Sequence, residues 1–244
     1  AALVGVDTRA QLHVRLRQMA VALPGSPFRL EVSPNDANAL STKLPAQAIA
    51  GKVGTDGTSG CGVTIKTFDL MGNACVAGGA LVTGNPVDKS VAEQHMVTVT
   101  VTDNEDGTYR LHWRSNMSGT YAVAIRIAND HVAGSPCNIR FHSVAPLKEK
   151  TVVSGDGLAS GTAGLPSRFR LSFFDMYDNQ AVPGPDDKLG LALLQGKTYK
   201  DVSESHEYTM APVDAEGCEQ EVTFTPSVEG TFSLHIWAES QGVA

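Results

Sequence analysis

The sequence predicts an all-β chain built from tandem antiparallel β-sandwiches. Apolar and polar residues alternate along many short segments, which is the pattern of strands with one buried face. Gly and Pro are plentiful, at 24 and 12 of 244 residues, as expected where turns join many strands. Three segments also recur in the same order later in the chain, which indicates a repeated unit.

The recurring segments keep nearly constant spacing. PGSPFRLEV (24–32) is matched by AGSPCNIRF (133–141), and FDLMGN is matched by FDMYDN. SGTYAVAIRI, which starts at Ser118, is matched by EGTFSLHIWA, which starts at Glu229. The spacing between the matched segments changes by only a few residues, so the chain is a tandem array with its length differences confined to loops.

The first unit contains several rows of alternating residues and the turns that join them. The sequence DNEDG (103–107) predicts a tight turn, because Asp and Asn cap such turns and Gly accepts a positive φ. Valines alternating with threonines form the β-branched pattern of a strand. The predicted inward rows, in chain order, are 63–67, 97–101, 109–113, 121–127 and 139–141.

The second unit repeats this order, with DAEG (214–217) in place of the DNEDG turn. Its predicted inward rows are 169–173, 189–193, 222–224 and 232–236. About seven short strands in roughly 100 residues, separated by turn signals, indicate a β-sandwich of the immunoglobulin type. The Cys, Trp, Cys core of antibody domains is missing, so the architecture is immunoglobulin-like without that chemistry.

Residues 100–141 resemble the second half of a filamin-type repeat. The resemblance rests on the acidic D-N-x-D-G-T-Y turn, the G-x-Y strand start and the His-x-x-Gly-Ser-Pro turn, present in that order. FDLMGNACVAGG is similar to the segment between the second and third strands of such repeats. The second unit departs from the pattern, because DAEG lacks the Asn-x-Asp core and Asp178 stands where the family has Gly.

The resemblance also predicts the domain boundaries. Residues 1–32 resemble the last two strands of a preceding repeat, and residues 33–144 form a complete repeat. Residues 145–244 form a second repeat that is expected to lack its final strand. Half a sandwich cannot bury its sheet face alone, so we expect the segment to belong to a longer array.

Composition and motifs favour protein partners and disfavour catalysis. The net charge of −7 argues against nucleic acid, and no apolar stretch is long enough for a membrane helix. None of the seven histidines has metal-ligand spacing, and no nucleophile elbow is present. Asp69 with Asn73, and Asp175 with Asn179, are interpreted as turn formers. We therefore predict no enzyme activity, no metal and no cofactor.

Cysteine usage and one sequon point to different compartments. The four cysteines do not recur at matched positions, which predicts free thiols and favours the inside of the cell. The sequence Asn-Met-Ser at Asn116 is a potential glycosylation site and favours the outside. About one such sequon is expected by chance in a chain of this composition.

The resemblance implies a docking site for partner proteins. In filamin-type repeats, partner peptides often add as an extra strand beside the third and fourth strands, where unpaired backbone groups are available. In this sequence those strands are expected near 80–84 and 96–102. The valines are expected to face the core and the threonines the outside. The candidate docking residues are Leu81, Thr83, Val97, Thr98, Val99, Thr100 and Val101.

The function that follows is a structural or scaffolding role inside the cell, in the cytoskeleton or a cilium, with other proteins and neighbouring repeats as partners. The joint between the units contains one Pro and no Gly-Ser run, which predicts a semi-rigid spacer. Two alternatives stay open from sequence. One is an extracellular adhesion protein, for example on a gamete surface, and the other is an enzyme that carries these repeats as an accessory region.

Overall fold

The structure is a computed structural model, which describes residues 9–12, 24–46, 49–54, 60–94, 97–184, 187–194 and 208–240. Two antiparallel strands, β1 (Arg9–Leu12) and β2 (Phe28–Glu31), precede the first unit. The pairing of β1 with β2 matches the pairing of the last two long strands of that unit.

The described residues of the first unit form eight strands and one short helix, α1 (Lys89–Gln94). Its strands are β3 (Ile49–Lys52), β4 (Cys61–Lys66), β5 (Val82–Pro86), β6 (Thr98–Asp103), β7 (Thr108–Arg114), β8 (Gly119–Ile127), β9 (Asp130–His131) and β10 (Cys137–His142). One sheet has the order β3-β10-β8-β5, and the facing sheet has the order β4-β7-β6. All pairs in the two sheets are antiparallel except β3 with β10.

The core of the first unit lies between the two sheets. The alternating rows of β4, β7 and β8 place Ile65, Leu111 and Ile125 inside, and Trp113 is fully buried beside them. The Trp113 indole N–H donates to the Gly84 carbonyl over 2.7 Å, so its polar atom is satisfied within the core. Tyr121 and Phe141 pack edge to face with ring centroids 5.7 Å apart.

The second unit has six described strands in two sheets. They are β11 (Val152–Ser154), β12 (Ser167–Ser172), β13 (Asp187–Leu194), β14 (Tyr208–Pro212), β15 (Glu219–Phe224) and β16 (Ser233–Ser240). One sheet has the order β11-β12-β15-β14, and β13 pairs with β16. Phe169, Leu171 and Phe224 are buried between them. The leucine side chains of the predicted row 189–193 lie outside the described residues.

The predicted fold class is confirmed, and the differences are local. The third and fourth strands of the first unit begin two residues later than predicted, at Val82 and Thr98. The third strand begins later because the Ala80 amide donates to the Tyr109 hydroxyl over 2.8 Å, outside the sheet ladder. Asp178, which replaces the expected Gly, adopts a left-handed φ of 67°, and Gly72 at the matching position has a φ of 83°. The loop therefore keeps its shape despite the substitution.

Candidate functional site

The predicted docking edge lies where two sheets end on the same side of the first unit. Strand β5 ends one sheet, and within the described residues it pairs with β8 alone. Strand β6 ends the facing sheet and pairs with β7 alone among those same residues. Each strand therefore has one side with backbone N–H and C=O groups available to another chain.

Side chains and backbone groups hold the two edge strands in place. Asp103, at the end of β6, accepts hydrogen bonds from the amides of Gly79 (2.7 Å) and Glu105 (2.8 Å). These two amides lower the pKa of Asp103 below its usual range. Gly84 in β5 has no room for a side chain, because a Cβ atom there would overlap Leu111 and crowd Trp113. Asp103 thus links the end of β6 to the segment that leads into β5, and β5 packs closely against side chains of β7.

The seven predicted docking residues fall into three groups. Leu81 lies just before β5 and is 64% exposed, and Thr83 within β5 is half-buried. Val97, Val99 and Val101 are half-buried and pack against the core. The threonines between these valines point outward and are exposed, namely Thr98 and Thr100.

A short helix joins the two edge strands. Asp88 precedes α1, and its Oδ1 atom accepts hydrogen bonds from the Ser90 hydroxyl (2.8 Å), the Ser90 amide (3.0 Å) and the Val91 amide (3.2 Å). This is the bonding of an N-cap, and it lowers the pKa of Asp88, chiefly through the Ser90 hydroxyl. Val91 packs against the core, so the helix is anchored beside β6.

A groove of about 870 Å³ lies between α1, the end of β5 and the start of β6. Its apolar lining comes from Pro86, Val87, Val97 and Ala124. Asn85, Thr98, Lys89, Glu93 and Arg126 supply the polar groups around that lining. A groove of this composition fits an extended peptide that carries an apolar side chain.

Arg126 is held at the groove by the turn before β10. Its Nε and Nη2 atoms lie 3.2 and 3.0 Å from Nε2 of His131, and Nδ1 of His131 lies 2.9 Å from the Ser135 hydroxyl. A guanidinium group only donates, so Nε2 accepts and the proton of a neutral ring is on Nδ1. Ser135 Oγ also accepts from the Ile125 amide over 2.8 Å. The histidine of the Gly-Ser-Pro turn therefore orients a cation at the docking groove.

Three residues of the groove lining lie outside the set of docking residues predicted from sequence, namely Lys89, Glu93 and Arg126. The alternation of 121–127 contains the signal for Arg126, because it leaves this residue on the outward face of β8. No sequence pattern predicts that Lys89 and Glu93 line the groove. Both belong to α1, and a β-sandwich pattern does not predict a helix at this position.

The described residues contain no group of three or more His, Cys, Asp or Glu side chains placed to hold a metal ion. In the same part of the chain, no helix is long and apolar enough to cross a membrane. All four cysteines are free. Burial, with a smaller effect from Cys137, raises the pKa of the Cys61 thiol to about 12, which disfavours the thiolate form at neutral pH.

The sequon residue Asn116 lies in the loop between β7 and β8 and is half-buried. This loop faces the second unit. The Asn116 carbonyl accepts a hydrogen bond from Nδ2 of Asn179, and the Ser118 amide donates to Oδ1 of the same side chain, both over 2.8 Å.

Comparisons with known proteins agree with this architecture. Residues 6–138 match the family model described as the Filamin/ABP280 repeat. Tripartite motif-containing protein 2 of Homo sapiens is 33% identical over 92 residues, which are 36% of this chain and 12% of that protein. Filamin-A of Drosophila melanogaster is 28% identical over 156 residues, which are 60% of this chain and 6% of that protein. The chain thus spans only a small part of these curated relatives.

Two solved structures share the fold. Invasin, described as a bacterial integrin-binding protein, has a TM-score of 0.58 at 13% identity, over 89% of this chain and 41% of that chain. FdeC, an Escherichia coli adhesin, has a TM-score of 0.54 at 16% identity, over 87% of this chain and 64% of that chain. At these identities the likeness concerns the arrangement of strands alone.

Proposed function

Because the chain belongs to the Filamin/ABP280 repeat family, we propose that it is a non-enzymatic scaffolding segment of a longer filamin-like protein. In this proposal it spaces and docks partner proteins in a cytoskeletal or ciliary assembly. The observation that carries the docking part is the pair of edge strands, β5 and β6, with the groove beside them. Repeats of this family generally act through protein–protein contacts.

The proposed docking mode is the addition of an extended partner strand to β5 or β6. New backbone hydrogen bonds would supply affinity, and the groove would supply selectivity. The bond from Gly79 to Asp103 and the close packing of Gly84 on β7 would reduce the ordering that binding requires of the scaffold.

The groove also suggests what the partner looks like. Val87 and Val97 offer an apolar surface, while Arg126 and Lys89 offer positive charge near it. We therefore propose a partner segment with β-branched or aromatic residues next to an acidic residue. Among the described residues that line the groove, Glu93 is the one acidic side chain, and it would disfavour a second acidic residue near α1.

Hydrogen exchange with selected peptides tests this mode directly. A random peptide library would be selected against the purified 244-residue chain, and amide exchange would be followed with and without each enriched peptide. Strand addition predicts slower exchange within β5 or β6, because open backbone groups gain partners. Peptides that protect other segments and leave both strands unchanged would contradict the proposal.

A matched pair of substitutions separates the groove from general surface effects. Val87 in the groove lining is 56% exposed, and Val76, which does not line the groove, is 69% exposed. Val87→Asp should weaken binding of the enriched peptides at least tenfold, which is about 1.4 kcal/mol. Val76→Asp should leave their affinity unchanged. Equal losses for both variants would indicate that the peptides do not use the groove.

The proposed intracellular location has its own test. Mass spectrometry of the native parent protein without reduction should find Asn116 unmodified and all four cysteines as thiols. A glycan at Asn116 or any linked pair of cysteines would contradict a cytoskeletal scaffold. It would instead favour an adhesion protein outside the cell.

A further inference from the structure

A second contact surface lies at the opposite end of the sandwich from the Gly-Ser-Pro turn, where the two units meet. The loop of residues 175–179 in the second unit contacts the loop of residues 116–118 in the first unit. The side chain of Asn179 makes two hydrogen bonds to the facing loop and is 4% exposed. Its amide group binds one carbonyl and one amide of the facing backbone, as a neighbouring strand would.

The orientation of the Asn179 amide is fixed by its surroundings. Nδ2 lies 2.8 Å from the Asn116 carbonyl oxygen and 3.1 Å from both carboxylate oxygens of Asp175. Oδ1 lies 2.8 Å from the Ser118 amide nitrogen. Rotating the amide by half a turn would place its oxygen against three other acceptor oxygens and its NH₂ group against a donor. Only one orientation satisfies every partner.

The same loop also anchors the connection between the units. Asp175 Oδ2 accepts a hydrogen bond from the Val144 amide over 3.2 Å, and the Phe174 carbonyl accepts one from the Leu147 amide over 2.8 Å. Tyr177, at the tip of the loop, packs against the core cluster of the first unit. The connecting segment is therefore bound to the second unit at two backbone positions, and the loop touches the first unit through polar and apolar groups.

We propose that loop 175–179 is a latch that sets the angle between the two sandwiches, with Asn179 as its orienting residue. Two hydrogen bonds to positions 116 and 118 define a direction, whereas the apolar contact of Tyr177 has no such directionality. Because Asp175 orients the Asn179 amide from within the second unit, the latch is assembled before the first unit is engaged. Two units joined this way move as one body, which deepens the spacing part of the proposed function and makes no use of the docking groove.

The chain provides its own control for this inference. Asn73 occupies the matching position in the first unit, and its Nδ2 atom donates to Asp69 over 3.0 Å as Asn179 donates to Asp175. Asn73 is exposed, and among the described residues no hydrogen bond joins it to another unit. A substitution at Asn73 therefore removes the loop bond without removing a contact between units.

Residual dipolar couplings on the 244-residue chain measure the joint directly. Wild-type protein should require a single alignment tensor for both units, and its rotational correlation time should be that of one body of 25.7 kDa. Asn179→Ala should require two tensors and should lower the correlation time toward that of a single unit. Asn73→Ala should behave as the wild type does. A single tensor for Asn179→Ala, or an equal loosening by Asn73→Ala, would overturn the latch.

Folding of the variant is checked in the same spectra. Amides of β12 and β15 should keep their wild-type chemical shifts in Asn179→Ala, since the substitution removes contacts outside that sheet. If those shifts collapse, the wild-type chain still tests the proposal, because the Ser118 amide that donates to Asn179 should exchange slowly with solvent. Fast exchange at Ser118 beside slow exchange in β12 would then overturn the proposal. Because peptide docking is measured at β5 and β6, failure of the latch and failure of docking give different results.

Discussion

The molecule contains two copies of one loop in two different environments. In residues 69–73 and 175–179, the aspartate carboxylate accepts hydrogen bonds from the amides two and four positions later, at 2.8–2.9 Å. In both copies it also accepts from the amide of a preceding segment, at Asn35 or Val144. Internal bonding is therefore nearly the same, and the copies differ mainly in what lies outside them.

The two copies differ in the contacts of the third and fourth residues of the loop. Met71 is 81% exposed, whereas its counterpart Tyr177 is half-buried against the neighbouring unit. In the second copy Lys150 also binds Asp178, with Nζ 2.6 Å from Oδ1. The same turn motif therefore forms a contact between the units in the second copy, while its internal hydrogen bonds stay nearly the same. The turn chemistry and the joint can therefore be tested by the same substitutions in the two copies.

The largest difference is expected from removing the aspartates. Asp175→Ala should destabilise the second unit by on the order of 3 kcal/mol, because four buried or half-buried donors lose their acceptor. Asp69→Ala should destabilise the first unit by less than this, because Asn73 is exposed and water can replace the carboxylate as its hydrogen-bond partner. Urea unfolding followed by hydrogen exchange of fragments from each unit measures both. A larger effect in the first unit would contradict the comparison.

The next largest effect on stability is expected from truncating the side chain at the third position of each loop. Tyr177→Ala should cost about 1.5 kcal/mol, since a half-buried aromatic side chain loses its contact with the first unit. Met71→Ala should change the free energy of unfolding by less than about 0.5 kcal/mol, because the side chain is exposed. Thermal unfolding of both variants under identical conditions makes the comparison, and equal shifts would show that Tyr177 has no partner in solution.

The internal bond of the first loop can be measured by its effect on ionisation. The pKa of Asp69 is lowered from 3.8 to about 2, chiefly by the hydrogen bond from the Asn73 side chain. The stability that the ionised carboxylate provides is present above pH 3.8 and is lost as the pH falls through about 2. An NMR titration of Asn73→Ala should show the Asp69 pKa rising toward 3.8. An unchanged pKa would mean that backbone amides alone hold the carboxylate.

The smallest effect is expected at the edge of the joint. Arg140 of the first unit lies 3.9 Å from Glu216 of the second, and both side chains are mostly exposed. Glu216→Gln should change the free energy of unfolding by less than about 0.5 kcal/mol and should leave the single alignment tensor intact. A separation of the units in this variant would transfer the orienting role from Asn179 to the ion pair.

The docking edge shows which features a local sequence pattern predicts and which depend on contacts between distant residues. Alternation along 97–101 predicted valines on one face and threonines on the other, and the strand has that arrangement. The third strand begins two residues later than the pattern predicts, because the Ala80 amide donates to the hydroxyl of Tyr109, which lies 29 positions later in the chain. The cation at the groove depends on the contacts of Arg126 with His131 and Ser135, which a single strand pattern does not encode.

The repeat, the all-β class, the strand rows and the turn chemistry of both Asp-to-Asn loops can be predicted from the amino-acid sequence. Each of these depends on residues close together in the chain, where period and turn preference act directly. Which of the two loops forms a contact between the units depends on how the folded units pack. Asn73 and Asn179 stand in nearly the same local sequence, and the partners of Asn179 lie 61 and 63 positions earlier in the chain. Such a contact forms only when two folded units meet, so the packing of the units and not the motif gives Asn179 its role.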